Sequence, residues 1–279
     1  NIESLQKLFN EYPDQIAAVL LEPATTETPI MSDLGELNHN KPAKEILHSD
    51  SNFLFTLQNL CKKNGTLFIL DEMITGFRWH LKGAGYYFGV DPDLITFGKA
   101  MANGFSISAL GGKRNIMELG SINIPNLERT FLLSSTHGAE MCSLGAFIET
   151  VDFYKRKKVC NSLWNYGIKL KHSFNKLCDQ HDLSEHIYMT GPGICLNYIT
   201  KDSNLSISSQ LRTLFSQEMI KRNILMPWIS ISYSHGDKEL NKTLNSINEV
   251  LIIYKKALSE GVEKYLEGPS IKPVFRKFN

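Results

Sequence analysis

Two residues near the middle of the chain have the side chains needed for chemistry at a carbonyl group. Asp71 follows the apolar run 67–70, which places a carboxylate at the C-terminal end of a predicted strand. Open α/β sheets bind their ligands at that edge. A carboxylate there can keep a pyridinium nitrogen protonated, and such a ring accepts electrons from a bond broken at a substrate carbon. Taken alone, Asp71 fits a cap of the next helix at least as well.

Lys99 is the second of these residues. It lies in the segment 96–100, TFGKA, after another apolar strand and between small residues, so we expect its stem to lie close to the backbone. Schiff-base chemistry needs a lysine that can be neutral, and partial burial or a nearby cation favours that state. An ordinary surface lysine before a turn is an equally good explanation of the spacing alone.

Alternating helices and strands would position both residues. The apolar spacing predicts helices over 2–9 and 53–61 and strands over 16–21, 66–70, 94–97, 106–110 and 130–133. Buried strands that alternate with helices are typical of an α/β fold with a mainly parallel sheet. Glu22 follows the first strand as Asp71 follows the second, which predicts two carboxylates near one pocket. Glu22 could equally brace a neighbouring group.

The C-terminal part of the sequence predicts a smaller α+β domain. Helical patterns cover 139–154, 160–178, 209–222 and 238–258, with a strand-like run over 194–199. We place the domain junction between the first two of these helices. The predicted domains are therefore 1–156, the large domain, and 157–279, the small one.

Composition argues against several functional classes. Thirty basic and 29 acidic residues nearly cancel, so the charge balance does not indicate a nucleic-acid partner. Five scattered cysteines without CxxC spacing favour neither a disulfide framework nor a metal site. No apolar stretch is long enough to span a membrane, and the N-terminus does not have the pattern of a signal peptide. We therefore expect a cytoplasmic protein without a metal, a nucleic-acid partner or a membrane partner.

Four short elements occur in a fixed order around Asp71 and Lys99: Asp71-Glu72, Thr75-Gly76-Phe77, Gly89-Val90-Asp91-Pro92-Asp93-Leu94 and Gly98-Lys99-Ala100. In this order they resemble the class III aminotransferase family, and a match in several parts is far more specific than one short motif. The resemblance implies pyridoxal 5'-phosphate (PLP) as the cofactor. It also implies the PLP-dependent transferase fold, of the aspartate aminotransferase type, for the large domain.

The resemblance implies a role for each candidate residue. Lys99 would bear the cofactor as a Schiff base and move a proton, while Asp71 would pair with the pyridine nitrogen. Met73 would pack against one face of the ring, although core packing explains the same contact. Thr136, in the segment 131–146, would donate to the phosphate; Ser135 or Thr136 as a simple helix N-cap is the alternative. Glu22 would lie near the cofactor.

The segments 75–78 and 272–277 resemble the branch that contains glutamate-1-semialdehyde aminomutases and aminotransferases of sugar-nucleotide or surface-polysaccharide pathways. Departures from the aminomutase pattern at 24–28 and 138–140 favour external transamination. The resemblance therefore implies transfer from a small-molecule amino donor to a carbonyl acceptor, in a homodimer with shared active sites. An aminomutase and a non-catalytic interaction module are the alternatives.

The resemblance begins at the middle of the family's large domain. Roughly the first third of a typical member, which supplies a phosphate-binding loop and an aromatic residue on the ring, has no counterpart in this sequence. We therefore expect this chain alone to hold the cofactor weakly. A fragment, a separately encoded half and a degenerate remnant are all consistent with the sequence.

Overall fold

The computed structural model of the protein describes residues 1–25, 28–30, 52–128, 130 and 140–272. The chain divides into two compact units, Asn1–Asn161 and Ser162–Asn279. The assignment of 1–156 and 157–279 as the large and small domains of an aminotransferase stays a prediction.

The first unit contains a four-stranded sheet with helices between its strands. Its elements in chain order are α1 (Ile2–Glu11), β1 (Ala18–Leu21), α2 (Phe53–Lys63), β2 (Leu67–Asp71), α3 (Ala84–Tyr87), β3 (Leu94–Phe97), a 3-10 turn (Lys99–Met101), β4 (Ala109–Gly112), α4 (Arg114–Met117), a second 3-10 turn (Glu118–Gly120) and α5 (Met141–Lys157). The strand order is β1-β2-β3-β4. The first three strands are parallel and β4 is antiparallel to β3, so the predicted mainly parallel α/β sheet is confirmed. The strand predicted at 106–110 begins three residues later, as β4, and that at 130–133 lies almost wholly outside the described residues.

The two faces of this sheet differ in burial. Phe68 and Leu70 point to one face of the sheet, and both are buried. Their neighbours along β2 point to the opposite face and are only half-buried, and on that face Leu20 is 61% exposed and Leu110 49% exposed. Alternation along β2 places Asp71 on this more open face, at the end of the strand.

Helix α2 is fixed at its start by Asn52. The Asn52 side chain accepts hydrogen bonds from the backbone N–H groups of Leu54 and Phe55 and donates to the carbonyl of Phe88. Asn at this position satisfies backbone donors that have no partner within the helix. The helix ends at Lys63 with Asn64 as its C-cap, and Gly65 follows with a φ of +63°. The following strand, β2, therefore starts at a defined point.

The second unit contains three long helices and a two-stranded antiparallel sheet. Its elements are α6 (Val159–Gln180, which begins at the end of the first unit), β5 (Ile187–Thr190), β6 (Asn197–Thr200), α7 (Ser209–Lys221), α8 (Asp237–Glu260) and a 3-10 turn (Val262–Lys264). Large aromatic side chains fill its core, among them Trp164, Phe174, Phe215 and Tyr254. Strand β5 was not predicted. It is fixed by Asn175 of α6, whose side chain exchanges hydrogen bonds of 2.9 and 2.7 Å with the backbone of Met189.

A buried carboxylate near the C-terminal end of α7 stabilises the second unit. Glu218 accepts hydrogen bonds from Lys221 at 2.6 Å, Gln217 at 3.0 Å and Arg222 at 3.2 Å. Burial raises the pKa of Glu218, but the hydrogen bonds from these three side chains outweigh burial and hold the pKa below its usual value. The ionised form of Glu218 is therefore favoured by folding.

This lowered pKa predicts a pH-dependent loss of stability. Because the folded pKa lies below the unfolded pKa of about 4.3, the contribution of Glu218 to stability is complete above that pH and is lost as pH falls through the folded value. Urea unfolding at several pH values should show wild type more stable than Glu218→Gln at pH 7, with the difference shrinking below about pH 4. A difference that stays constant down to pH 3 would contradict this account.

Candidate active site

The parallel pairing of the first three strands brings the candidate residues to one edge of the sheet. Leu21 lies opposite Leu70, and Asp71 lies opposite Thr96. Glu22, Asp71 and the segment that leads to Lys99 therefore leave the sheet at the same carboxyl edge. This is the position where open α/β sheets bind ligands.

The Asp71 carboxylate is anchored through one of its oxygens. Its Oδ1 accepts a hydrogen bond from the backbone N–H of Met73 at 3.0 Å and another from the hydroxyl of Thr96 at 3.1 Å. Within the described parts of the chain, Oδ2 accepts no hydrogen bond, and the residue is half-buried. The carboxylate therefore has a fixed anchor and one oxygen available to a cationic ligand group.

Lys99 begins a tight 3-10 turn and has a backbone conformation that residues other than glycine rarely adopt. Its φ is +49°, a region that costs about 1–2 kcal/mol for a residue with a Cβ. The turn is held by the buried residues Met101 and Ala102 and by a hydrogen bond from Asn103 N–H to the carbonyl of Lys99. The Lys99 side chain is exposed, so the partial burial considered in the sequence analysis is not observed. Among the described residues none pairs with its Nζ.

Met73 lies next to the backbone that precedes Lys99. A Cβ added to Gly98 would lie 2.5 Å from Cε and 2.9 Å from Sδ of Met73, so the absence of a side chain at position 98 makes room for the thioether. The contact brings Met73, Gly98 and Lys99 together at the end of β3. Packing against a cofactor ring remains a prediction for Met73.

The remaining two predicted site residues are Glu22 and Thr136. Glu22 is exposed, and its carboxylate accepts a hydrogen bond from the hydroxyl of Thr25. Thr136, the predicted phosphate contact, lies outside the described residues. Asp71, Met73, Lys99 and Glu22 are thus brought to one edge, and the role of each stays a prediction.

Glu72 organises the loop behind the site, a role that the sequence analysis missed. Its buried carboxylate accepts hydrogen bonds from the Thr75 hydroxyl at 2.9 Å and from the N–H groups of Ala84 and Gly85 at 2.6 and 2.7 Å. Burial raises its pKa, and this effect outweighs the three hydrogen bonds, which lower it. A Cβ at Gly83, where φ is +93°, would lie 2.6 Å from Glu72 Oε1. The loop is therefore built closely around this carboxylate.

The alternation of side chains along a strand could have shown that Glu72 does not face the site. Side chains one residue apart on a strand point to opposite faces, so Glu72 had to leave the face that carries Asp71 and Met73. Thr96 was also missed. Its position opposite Asp71 follows only from the parallel register, which the sequence does not specify.

Two other motif elements have structural roles. Asp93 accepts a 2.7 Å hydrogen bond from the N–H of Phe68 and a 2.8 Å hydrogen bond from Lys113, which ties the start of β3 to β2 and to the residue after β4. A Cβ at Gly76 would lie 2.6 Å from the ring of Phe97, so glycine allows that ring to approach the loop. These elements hold the strands and the loop that position Asp71 and Lys99.

Within the described residues, no group of three or more His, Cys, Asp or Glu side chains is arranged to hold a metal ion. In the same part of the chain no helix combines the length and apolar character needed to cross a membrane.

Comparison with known proteins identifies the family. The family model for class-III aminotransferases matches residues 1–214, so the chain belongs to the class III aminotransferase family. The cofactor of this family is pyridoxal phosphate, as the resemblance implied.

Curated relatives and solved structures agree with this assignment. The 3-aminobutyryl-CoA aminotransferase from Cloacimonas acidaminovorans is 31% identical over 92% of this chain and 58% of its own length. A glutamate-1-semialdehyde 2,1-aminomutase from Caldicellulosiruptor bescii is 28% identical, over 86% of this chain and 54% of its own. The FumI protein of a Sphingopyxis species, solved in its PLP internal aldimine form, superposes with a TM-score of 0.74 at 20% identity, over 93% of this chain and 57% of that protein. These matches confirm the predicted fold, and the chain spans a little over half the length of these relatives.

The residues at the sheet edge fit two functional groups of PLP. The Asp71 carboxylate, with Oδ2 accepting no hydrogen bond from the described residues, suits a protonated ring nitrogen. The exposed amine of Lys99, which has no partner among the described residues, suits an aldehyde. The side chains of Asp71 and Lys99 therefore have the chemistry that the ring nitrogen and the aldehyde of PLP require.

Glu72 provides a test of how the loop is held. In Glu72→Gln the amide NH2 must face either the N–H of Gly85 or the donors of Thr75 and Ala84. We expect the free energy of unfolding to fall by about 1–3 kcal/mol, measured by urea denaturation at pH 7. Glu11→Gln, an exposed residue at the end of α1, is the control and should change little. Equal stability of the two variants would show that the Glu72 hydrogen bonds do not hold the loop.

Proposed function

We propose that this chain is the cofactor-binding part of a PLP-dependent aminotransferase in which Lys99 holds the cofactor and Asp71 pairs with its ring nitrogen. The observation that carries the proposal is the arrangement of both residues at one carboxyl edge of the parallel sheet, set by the pairing of Asp71 with Thr96. Bound PLP supplies an aldehyde that takes up an amine and a protonated ring that accepts an electron pair from the substrate carbon.

The protein's own residues would divide the remaining work. The Asp71 carboxylate, anchored at Oδ1, keeps a positive charge on the ring nitrogen favourable. The Lys99 amine would hold the cofactor through its aldehyde and would accept and return a proton at the substrate carbon. Met73 would pack beside the ring, Thr136 would donate to the phosphate, and Glu22 would lie near the cofactor.

External transamination is the proposed reaction, with a small-molecule amino donor and a carbonyl acceptor. Support comes from the departures at 24–28 and 138–140 and from the name of the Cloacimonas relative, an aminotransferase. An aminomutase that moves an amino group within one molecule is the second candidate, favoured by the names of other relatives. A sugar or surface-polysaccharide precursor as acceptor, a homodimer with shared sites and a cytoplasmic location belong to the same proposal.

The assignment of Lys99 can be tested by covalent labelling. Purified protein incubated with PLP, reduced with borohydride and digested should give a pyridoxyl-modified peptide that contains Lys99. Lys99→Ala should lose the modification, because Lys99 is the lysine that follows the carboxyl end of β3. Lys62→Ala, which alters an exposed lysine in the last turn of α2, is the matched control and should keep it.

Modification of a different lysine, or none in wild type, would contradict the proposal. An amino-donor screen with the same preparation separates the two reactions. A transaminase converts the donor to a carbonyl compound and transfers the amino group to a second molecule, whereas an aminomutase acts on one substrate without a separate acceptor.

A further inference from the structure

Thr96 makes a contact that the proposed function does not use. Its hydroxyl donates to Oδ1 of Asp71 at 3.1 Å, and its backbone carbonyl accepts the N–H of Glu72 at 3.0 Å. The backbone bond holds Thr96 beside the end of β2, and the hydroxyl bond reaches the carboxylate from there. Thr96 therefore binds the two residues at this strand end through two different atoms.

The two donors to Oδ1 restrain Asp71 differently. The Met73 N–H lies two residues along the same chain, so this bond is local and moves with the strand end that carries Asp71. The Thr96 hydroxyl belongs to β3, three residues before Lys99. Only the second bond links the orientation of the carboxylate to the strand that leads to the lysine.

We propose that Thr96 is a positioning residue that orients the Asp71 carboxylate toward the pyridine nitrogen of PLP. Its hydroxyl occupies Oδ1 and leaves Oδ2 available for the ring, in register with the segment that carries Lys99. The inference rests on the proposed function, because an oriented carboxylate matters only if Asp71 meets the ring.

A purely structural role for Thr96 predicts a different pattern of substitution. A β-branched side chain suits a strand, and Val keeps this shape while removing the hydroxyl. Ser keeps the hydroxyl and removes the methyl group. If Thr96 acts through packing, Val is tolerated and Ser is not; if it acts through the hydrogen bond to Asp71, the order is reversed.

The experiment compares PLP binding by wild type, Thr96→Val, Thr96→Ser and Asp71→Asn. The dissociation constant is measured by fluorescence titration, and the absorption spectrum of the bound cofactor is recorded. Thr66→Val is the matched control, since the Thr66 hydroxyl donates to the carbonyl of Ile16 at 2.8 Å, just before the opposite end of β2. This control removes a hydrogen bond near the same strand without touching the edge.

Thr96→Val should weaken PLP binding about tenfold, as expected for loss of a hydrogen bond to a charged group. Its spectrum should move in the same direction as that of Asp71→Asn, to a smaller extent. Thr96→Ser should bind nearly as wild type does, and Thr66→Val should bind PLP unchanged while unfolding more easily.

Each other outcome is decisive. Binding and spectrum of Thr96→Val equal to wild type, or a loss in Thr96→Ser as large as in Thr96→Val, would overturn the role of Thr96 and leave the proposed function intact. If wild type does not bind PLP, or if Asp71→Asn binds it with the same affinity and spectrum, the proposed function itself fails and the inference fails with it.

Discussion

The parallel pairing of β2 with β3 is the constraint on which the site depends. Its register sets Asp71 opposite Thr96 and leaves Lys99 only two residues beyond the end of β3. If the register of β2 against β3 shifted by one residue, Asp71 would point to the opposite face of the sheet, where Phe68 and Leu70 are now buried. The register is held by Asp93, which bonds the backbone of β2 at Phe68, and by the Glu72 N–H, which bonds the carbonyl of Thr96.

The sequence around the site divides into residues that do chemistry and residues that hold them. Asp71 and Lys99 present groups with unused bonding capacity among the described residues. Glu72, Gly83 and Asp93, which belong to the same stretch of sequence, are used entirely in closing the loop and fixing the strands. A buried carboxylate such as Glu72 is costly unless its oxygens are hydrogen-bonded, and here the backbone of α3 and Thr75 supply those bonds. The loop is therefore specified by the hydrogen bonds to the Glu72 carboxyl group at its centre.

One face of the sheet in the first unit exposes apolar side chains. The face that carries Asp71 includes Leu20, 61% exposed, and Leu110, 49% exposed. Parallel sheets of α/β proteins are ordinarily covered on both faces. The chain spans 58% of the length of its Cloacimonas relative.

Much of the fold could be predicted from local patterns, because strands buried in a parallel sheet are apolar runs and the helices between them have clear periodicity. The strand over 94–97 and helix α2 were predicted with nearly correct ends. Strand β5 (Ile187–Thr190) was missed because its position depends on Asn175 of helix α6, a tertiary contact that local patterns do not show. Asp71 and Lys99 could be proposed from spacing and resemblance. The contact of Thr96 with Asp71 could not, since strand register is a tertiary property.

The central claim is that the Asp71 carboxylate pairs with a protonated cofactor ring at this edge. The most direct measurement is the ¹⁵N NMR chemical shift of PLP labelled at its ring nitrogen and bound to the protein at neutral pH. We predict the shift of a protonated nitrogen in wild type and that of an unprotonated nitrogen in Asp71→Asn. The same shift in both proteins would contradict the account.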